Sequence, residues 1–309
     1  MEKTSIFQKP GYVAFFALTA AMLWGWAYPL IKLGFVEWGI SPDMTGSKML
    51  FAGIRFCLSG LLILAVAKSR NMDFSIKGKG SWAYVLLFAL LNTTLHYAFF
   101  YIGLSHSAGS RASILNSLGT FLLVILACIF FKSDKLTVRK LVGCAVGICG
   151  VLALNLDFGS STTGTREEFS WMGDGMIILN ALCSACAGLL TRGLGKRVHI
   201  FVGTGYSLAA GGLMLIIPGL IMGGSFSHVS FLGFIYLGML IVISTVSFAL
   251  YNKLILCNPV GKVAIYNSLI PAIGMLSSCL CLGEAFRVQY VIAAALAAAG
   301  IFIINKGKK

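Results

Sequence analysis

The sequence predicts an all-α membrane protein of ten transmembrane helices, arranged as two inverted five-helix repeats. Three observations carry that expectation. Of 309 residues, 58% are hydrophobic and 11% charged, whereas charged residues make up roughly a quarter of a soluble domain. The chain divides into ten apolar runs, each near the ~20 residues that cross the hydrocarbon layer. Finally, Tyr101 to Asn155 is restated in Tyr251 to Asn305. In that second copy Arg111 meets Lys262, Asn116-Ser117-Leu118 meets Asn267-Ser268-Leu269, Asp134 meets Glu284, Gly150 meets Gly300 and Asn155 meets Asn305.

Taken in order, the predicted spans are Tyr12 to Leu33, Met49 to Ala67, Ser81 to Leu104, Ser110 to Phe131 and Thr137 to Leu156, then Met172 to Gly193, Phe201 to Met222, Phe231 to Asn252, Lys262 to Leu282 and Val288 to Asn305. The first run is too long for a signal h-region and lacks a small-residue cleavage site, so it is expected to be retained as a span. With an odd number of spans in each half, the two copies must face opposite ways. This sets the boundaries: a first repeat over 11–156, an extracytoplasmic linker over 157–171, a second repeat over 172–305 and a basic cytoplasmic tail over 306–309.

Charge placement orients the chain. If the amino terminus is cytoplasmic, only Lys48, Arg111, Arg166 and Arg287 of the 24 Lys and Arg fall outside, and Lys32 and Arg55 lie within or at the edge of spans. The rest are inside, as the positive-inside rule requires. Both termini are therefore expected in the cytoplasm of a plasma membrane. The net charge of +14 is explained by this loop bias and implies no nucleic-acid partner.

The nine cysteines fall almost entirely in apolar runs, where a thiol acts as a small hydrophobe. The Cys183–Cys186 pair lies mid-span without a second pair or a nearby His, so it is not read as a metal site. No HExxH, GxSxG or GxxxxGK[ST] motif occurs, and no span carries a carboxylate pair. An enzyme is not expected, nor is a cofactor.

What the spans carry instead is a scatter of polar and aromatic groups. Arg55 lies seven residues past Lys48, about 10 Å deeper along a helix. It reads either as an anchor bonded to carbonyls of a neighbouring helix or as a contact for an anionic group such as a carboxylate. His96, one turn after Asn92 and on its face, is either satisfied by an interhelical hydrogen bond or a proton carrier. Asp174, Glu284 and Asp134 sit at span ends and read as interfacial residues. Asn116 and Asn267, as repeat mates, are expected to converge near the midplane, to pin helices or to contact a solute. Trp24, Trp26 and Tyr28 lie deep in the first span, as a cavity wall or as core, and Pro29 is expected to disrupt the helix there. Gly143, Gly147 and Gly150, with Ala293 to Gly300 as their mate, read as close-packing faces inside the bundle or at a dimer contact.

These residues resemble a known family. Leu23-Trp24-Gly25 with Lys32 is similar to the first-span signature of the EamA-type members of the drug/metabolite transporter superfamily. Ile54-Arg55-Phe56 resembles its second-span arginine motif, Gly173-Asp174-Gly175 the start of its sixth span, and Tyr266 to Pro271 with Leu282-Gly283-Glu284 its ninth-span pattern. Thr120, Lys132 to Asp134 and the absence of Trp near Ser184 depart from it. The resemblance implies a ten-span carrier in the lipid bilayer with a central cavity, working by alternating access and often exporting amino acids or other small metabolites.

The expected site residues are Trp24 and Tyr28 as an aromatic wall, Arg55 for a carboxylate, and Asn92, Asn116, Tyr266 and Asn267 as hydrogen-bonding groups. If transport is proton-coupled, His96 is the carrier. An organic-phosphate or nucleotide-sugar antiporter using Arg111 and Lys262, and an integral-membrane enzyme, are the competing readings. Either a monomer or a homodimer is compatible with the sequence.

Overall fold

A computed structural model describes residues 6–130, 136–155, 169–258, 263 and 265–305. The tail 306–309, most of the linker 157–171, and Lys132, Asp134, Arg166 and Lys262 lie outside the described residues. Those that are described form an all-α fold of ten helices. In the first half these are α1 (Pro10–Glu37), α2 (Thr45–Ser69), α3 (Ser81–Ser105), α4 (Gly109–Phe130) and α5 (Val138–Leu152). The second half has α6 (Met176–Leu194), entered through a π turn at Trp171–Gly175, then α7 (Ile200–Ile221) and α8 (Phe231–Cys257). It ends with α9 (Ile270–Leu282), entered through a 3-10 turn at Ile265–Leu269, and α10 (Val288–Asn305).

Among the described residues, seven stretches are long and apolar enough to cross a membrane: α1 to α4, α6 with its entry turn, α7 and α8. Helices α9 and α10 are apolar but shorter, and α5 has 15 residues. The chain is thus a multi-pass membrane protein.

Local chemistry sets the ends. Pro10 opens α1 at a position that needs no N–H. The hydroxyls of Ser170 and Ser230 accept from the amides of Gly173 and Gly233 at 3.2 and 2.9 Å, satisfying donors that a helix start leaves bare. Gly283, at φ 64°, closes α9 in the left-handed conformation. Pro29 does not end α1, which runs on to Glu37; its neighbours Ala27, Tyr28, Leu30 and Ile31 are buried, and that packing carries the helix past the missing hydrogen bond.

Helix α4 is broken at Ser117, and the 3-10 turn before α9 contains Ser268. The matched Asn-Ser-Leu triplets therefore sit at a helical discontinuity in both halves. Helix α3 carries a π segment over Leu90–Leu95. Asn92 lies within it and His96 follows directly after it, and their partners are on different helices, Ser207 on α7 and the Asn180 backbone on α6.

Packing is pairwise. Helix α2 lies on α7 and α5 on α10, while α1 packs against α8 and α9, and α6 against α3 and α4. Glycine permits the two closest pairs. A Cβ on Gly53 would lie 2.8 Å from the Gly212 carbonyl oxygen, and one on Gly143 would lie 2.8 Å from that of Gly300. Both distances are below van der Waals contact, so only hydrogen fits. The Gly143/Gly147/Gly150 face and its mate on α10 thus meet each other inside the bundle. A ring-rich core of Tyr28, Phe35, Phe51, Phe56, Phe100 and Tyr101 fills the space between α1, α2 and α3. Trp26 is 41% exposed on α1, so it does not belong to the core.

Candidate functional site

At mid-depth, three side chains from three helices form one hydrogen-bonded chain. Asn180 on α6 donates from Nδ2 to Asn116 Oδ1 on α4 at 2.6 Å, and Asn116 donates from Nδ2 to the Tyr28 hydroxyl on α1 at 2.9 Å. The break at Ser117 places Asn116 at a helix end, where its side chain can turn toward both neighbours. His96 on α3 faces the Asn180 backbone, edge-on to Tyr97 with ring centroids 4.4 Å apart. Tyr28 is packed edge-on by Phe100 at 5.4 Å.

This group draws on both halves of the chain and contains no ion pair. Two of its atoms, His96 Nδ1 and Asn180 Oδ1, are buried without a hydrogen-bond partner. Such groups are rare in folded proteins and call for an explanation.

The expected convergence of Asn116 with Asn267 does not occur. Asn267 donates instead to the Tyr251 hydroxyl at 2.8 Å, and Tyr251 is packed edge-on by Trp24 at 5.1 Å. Tyr266 packs beside Tyr251 in a small cluster around Val13, Ala17 and Leu254. Trp24, Tyr266 and Asn267 therefore gather around Tyr251 of α8, with Trp24 one helical turn before Tyr28 on α1. Asn92 turns to α7, 3.4 Å from Ser207 Oγ.

Arg55 is almost wholly buried. Its Nε donates to Leu240 O at 3.2 Å and Ser244 Oγ at 2.9 Å, and its Nη1 to the Tyr101 hydroxyl at 2.9 Å. The guanidinium lies 4.8 Å from the centre of the Phe56 ring. These bonds tie α2 to α8 and α3.

The ends of α1, α3, α4, α6 and α9 that were expected outside carry most of the buried charge. Arg111 grips Asp174 with two hydrogen bonds, Nε to Oδ1 at 2.9 Å and Nη2 to Oδ2 at 2.8 Å, and the two side chains are only 4% and 2% exposed. Asp174 was expected at the interface; a fixed guanidinium draws it inside. Glu284 is likewise enclosed. It accepts from the Gly109 amide at 2.7 Å, the Ser110 amide at 3.0 Å and the Ser110 hydroxyl at 2.6 Å, and lies 3.3 Å from Lys32 Nζ.

Burial raises the Glu284 carboxyl, but the Ser110 bonds, the Lys32 charge and the Gly109 amide together outweigh it and hold the group below its ordinary range. Lys48 is buried too, donating to Pro42 O at 2.6 Å and Ser105 Oγ at 2.9 Å. A pocket of ≈ 340 Å³ opens beside these groups, lined in part by His106, Arg111 and Asp174.

Sequence reasoning did not single out Asn180 or Ser244. A carboxamide inside the run Met172 to Gly193 was the available signal for Asn180, of the same kind as that for Asn116. Among the described residues, no group of three His, Cys, Asp or Glu is placed to hold a metal ion.

Comparison with known proteins agrees with this architecture. A sequence profile described as EamA-like transporter family matches residues 11–156 and 171–306. The chain is 25% identical to the uncharacterized transporter YvbV of Bacillus subtilis, over 93% of this chain and 90% of that one. It is 24% identical to the uncharacterized transporter YetK of the same organism, over 84% and 79%. With an uncharacterized transporter of Archaeoglobus fulgidus it shares 25% identity over 91% and 93%. A solved crystal structure matches with a TM-score of 0.66 at 17% identity, covering 95% of this chain and 96% of its own, which shows a common fold.

Proposed function

Because this chain belongs to the EamA-like transporter family, and so is a membrane carrier of small molecules and not an enzyme, we propose that it exports or exchanges a small polar metabolite, an amino acid being the leading class, by alternating access across the plasma membrane. The observation that carries the reading is the chain Tyr28–Asn116–Asn180 beside His96, a polar group at mid-depth drawn from both halves. Carriers of this kind bind at the midplane, where their repeats meet.

The arrangement as ten spans in two inverted repeats is supported by the packing, and the placing of both termini in the cytoplasm by the distribution of Lys and Arg. Exchanging the halves leaves α2–α7 and α5–α10 unchanged as pairs and turns the contacts of α1 with α8 and α9 into those of α6 with α3 and α4. The binding group is proposed to be Tyr28, Asn116, His96 and Asn180. The second set, Trp24, Tyr266 and Asn267 around Tyr251, is proposed to move as α1 slides on α8. Arg55, whose bonds go to α8 and Tyr101, is proposed as the anchor between α2 and α8.

Counterflow in proteoliposomes tests the reading. Vesicles preloaded in turn with amino acids, purines and sugar phosphates should accumulate the matching labelled compound for at least one amino acid. Exchange confined to phosphorylated compounds would favour the antiporter instead, although Arg111 is already paired with Asp174. Silence across the panel from folded protein would refute the reading.

A further inference from the structure

One end of the molecule gathers cations from both halves onto a single rim. Four helix ends meet there: the close of α2, the start of α3, the close of α6 and the start of α7. The segments that turn between them, 68–80 in the first half and 195–199 in the second, hold Lys68, Arg70, Lys77, Lys79, Lys196 and Arg197 against a single acid, Asp73. The two segments are joined directly, because the Lys77 amide donates to the Arg197 carbonyl at 2.8 Å.

The rim is built. Met72, Phe74 and Ile76 pack against an apolar cluster that includes Ala67 of α2, Val85 of α3, Leu194 of α6 and Val202 of α7. Asn71, Asp73, Ser75 and Lys77, which alternate with them, are exposed. Arg197 is fixed as well, its guanidinium 4.0 Å from the centre of the Tyr84 ring and its Nη1 donating to Gly193 O at 2.9 Å. A charge that serves only to orient a span has to remain on one side of the membrane, and needs no folded segment to present it.

Charge and depth together narrow the partner. Lys77 lies 3.9 Å from Asp73, whereas Lys68, Arg70, Lys79 and Lys196 are exposed and make no ion pair among the described residues. Trp82, the second residue of α3, is 57% exposed and stands beside Tyr206 with ring centroids 5.5 Å apart. An exposed Trp at the end of a span sits among lipid headgroups. The free cations of this rim are therefore held at the level of phospholipid phosphates.

We propose that the rim binds the headgroup of an anionic phospholipid, with Lys79 of the first half and Lys196 of the second as its principal cations. Both lie within two residues of the Lys77–Arg197 bond, so one headgroup ties the ends of α2 and α3 to those of α6 and α7. A phosphatidylcholine headgroup carries its own cation and has no use for this charge. The leaflet is the cytoplasmic one in the orientation proposed above. The proposal goes beyond the transport reading and does not depend on it.

The experiment is thermal unfolding of the purified full chain in a nonionic detergent, titrated with phosphatidylglycerol, phosphatidylcholine or water-soluble glycerol phosphate. Phosphatidylglycerol should raise the melting temperature to a plateau, and the other two should not at the same concentrations. Lys79→Gln and Lys196→Gln should each move the midpoint of that titration to about fivefold higher lipid, and the double variant to about 25-fold. Without lipid these variants should melt like the parent, because both side chains are exposed. If the double variant does not fold, the two single variants carry the test. Lys9→Gln removes an exposed cation at the start of α1, away from the rim, and should leave the titration unchanged.

No stabilisation by phosphatidylglycerol, equal stabilisation by phosphatidylcholine, or an unmoved midpoint in both single variants overturns the proposal. A midpoint moved as far by Lys9→Gln shows diffuse charge in place of a site, and also overturns it. Stabilisation by glycerol phosphate identifies a free-anion site and removes the lipid. Counterflow is not read in any arm, so silence there would sink the transport reading alone.

Discussion

Replacing Asp174 by Asn removes one negative charge and little volume, and it leaves Arg111 buried opposite a neutral amide. The pair is bidentate at 2.9 and 2.8 Å, and neither side chain has appreciable access to water. Asparagine keeps one acceptor oxygen but turns a donor NH2 toward the other guanidinium nitrogen. One of the two bonds becomes a clash of donors. Breaking a buried pair while its partner stays charged costs about 3–5 kcal/mol. At about 2–4 °C per kcal/mol for a large domain, the apparent melting temperature should fall by about 6–20 °C.

The assay is thermal unfolding of detergent-purified protein followed by intrinsic fluorescence. Arg111→Met combined with Asp174→Leu provides the internal check, because it removes both charges and should recover most of the loss. A fall below about 2 °C for Asp174→Asn, or a double variant as unstable as the sum of the singles, would refute a dry, paired site.

The Glu284 carboxyl is held below its ordinary range, so it contributes stability above the unfolded-state pKa of about 4.3 that is lost as pH falls through the lower folded value. Glu284→Gln should therefore flatten the acid limb of melting temperature against pH and leave the slope above pH 6 unchanged. Gly150→Ala would set a Cβ 2.9 Å from the Ala293 carbonyl oxygen and should cost about 1–3 kcal/mol by forcing α5 from α10. Gly195→Ala, with nothing within 4 Å of the added atom, should melt like the parent. Arg55→Lys replaces the two donor nitrogens Nε and Nη1, which reach α8 and Tyr101 from different positions, by a single ammonium, and should raise hydrogen exchange along α8 near Leu240 and Ser244.

The ten helices were legible because hydrophobic length is a local property of sequence, readable one segment at a time. Their rotation was not. A span apolar on all sides gives no signal for which face turns inward, so Trp26 was grouped with Tyr28 although one helix turns them to opposite surroundings. The π segment at Leu90–Leu95 leaves no composition signal. Partners far apart in the chain were equally hidden: Lys32 and Glu284 are 252 residues apart, and only folding makes Asp174 the mate of Arg111. The repeat did give one piece of geometry beyond length. Asn-Ser-Leu recurs where each half departs from regular α-helix, and there a backbone irregularity and a polar side chain coincide.

The carboxylate that seats the first amides of α4 is 175 residues downstream of Gly109. At a synthesis rate of about 5–20 residues per second, the ribosome reaches it about 9–35 s later. During that interval the fourth helix stands in the membrane with its leading donors unmet, and water or the insertion machinery must serve them. The fourth helix is thus completed by a residue of the ninth. A nascent chain arrested before codon 284 carries an unfinished end in a segment already translated, and that end is completed only when the second half docks.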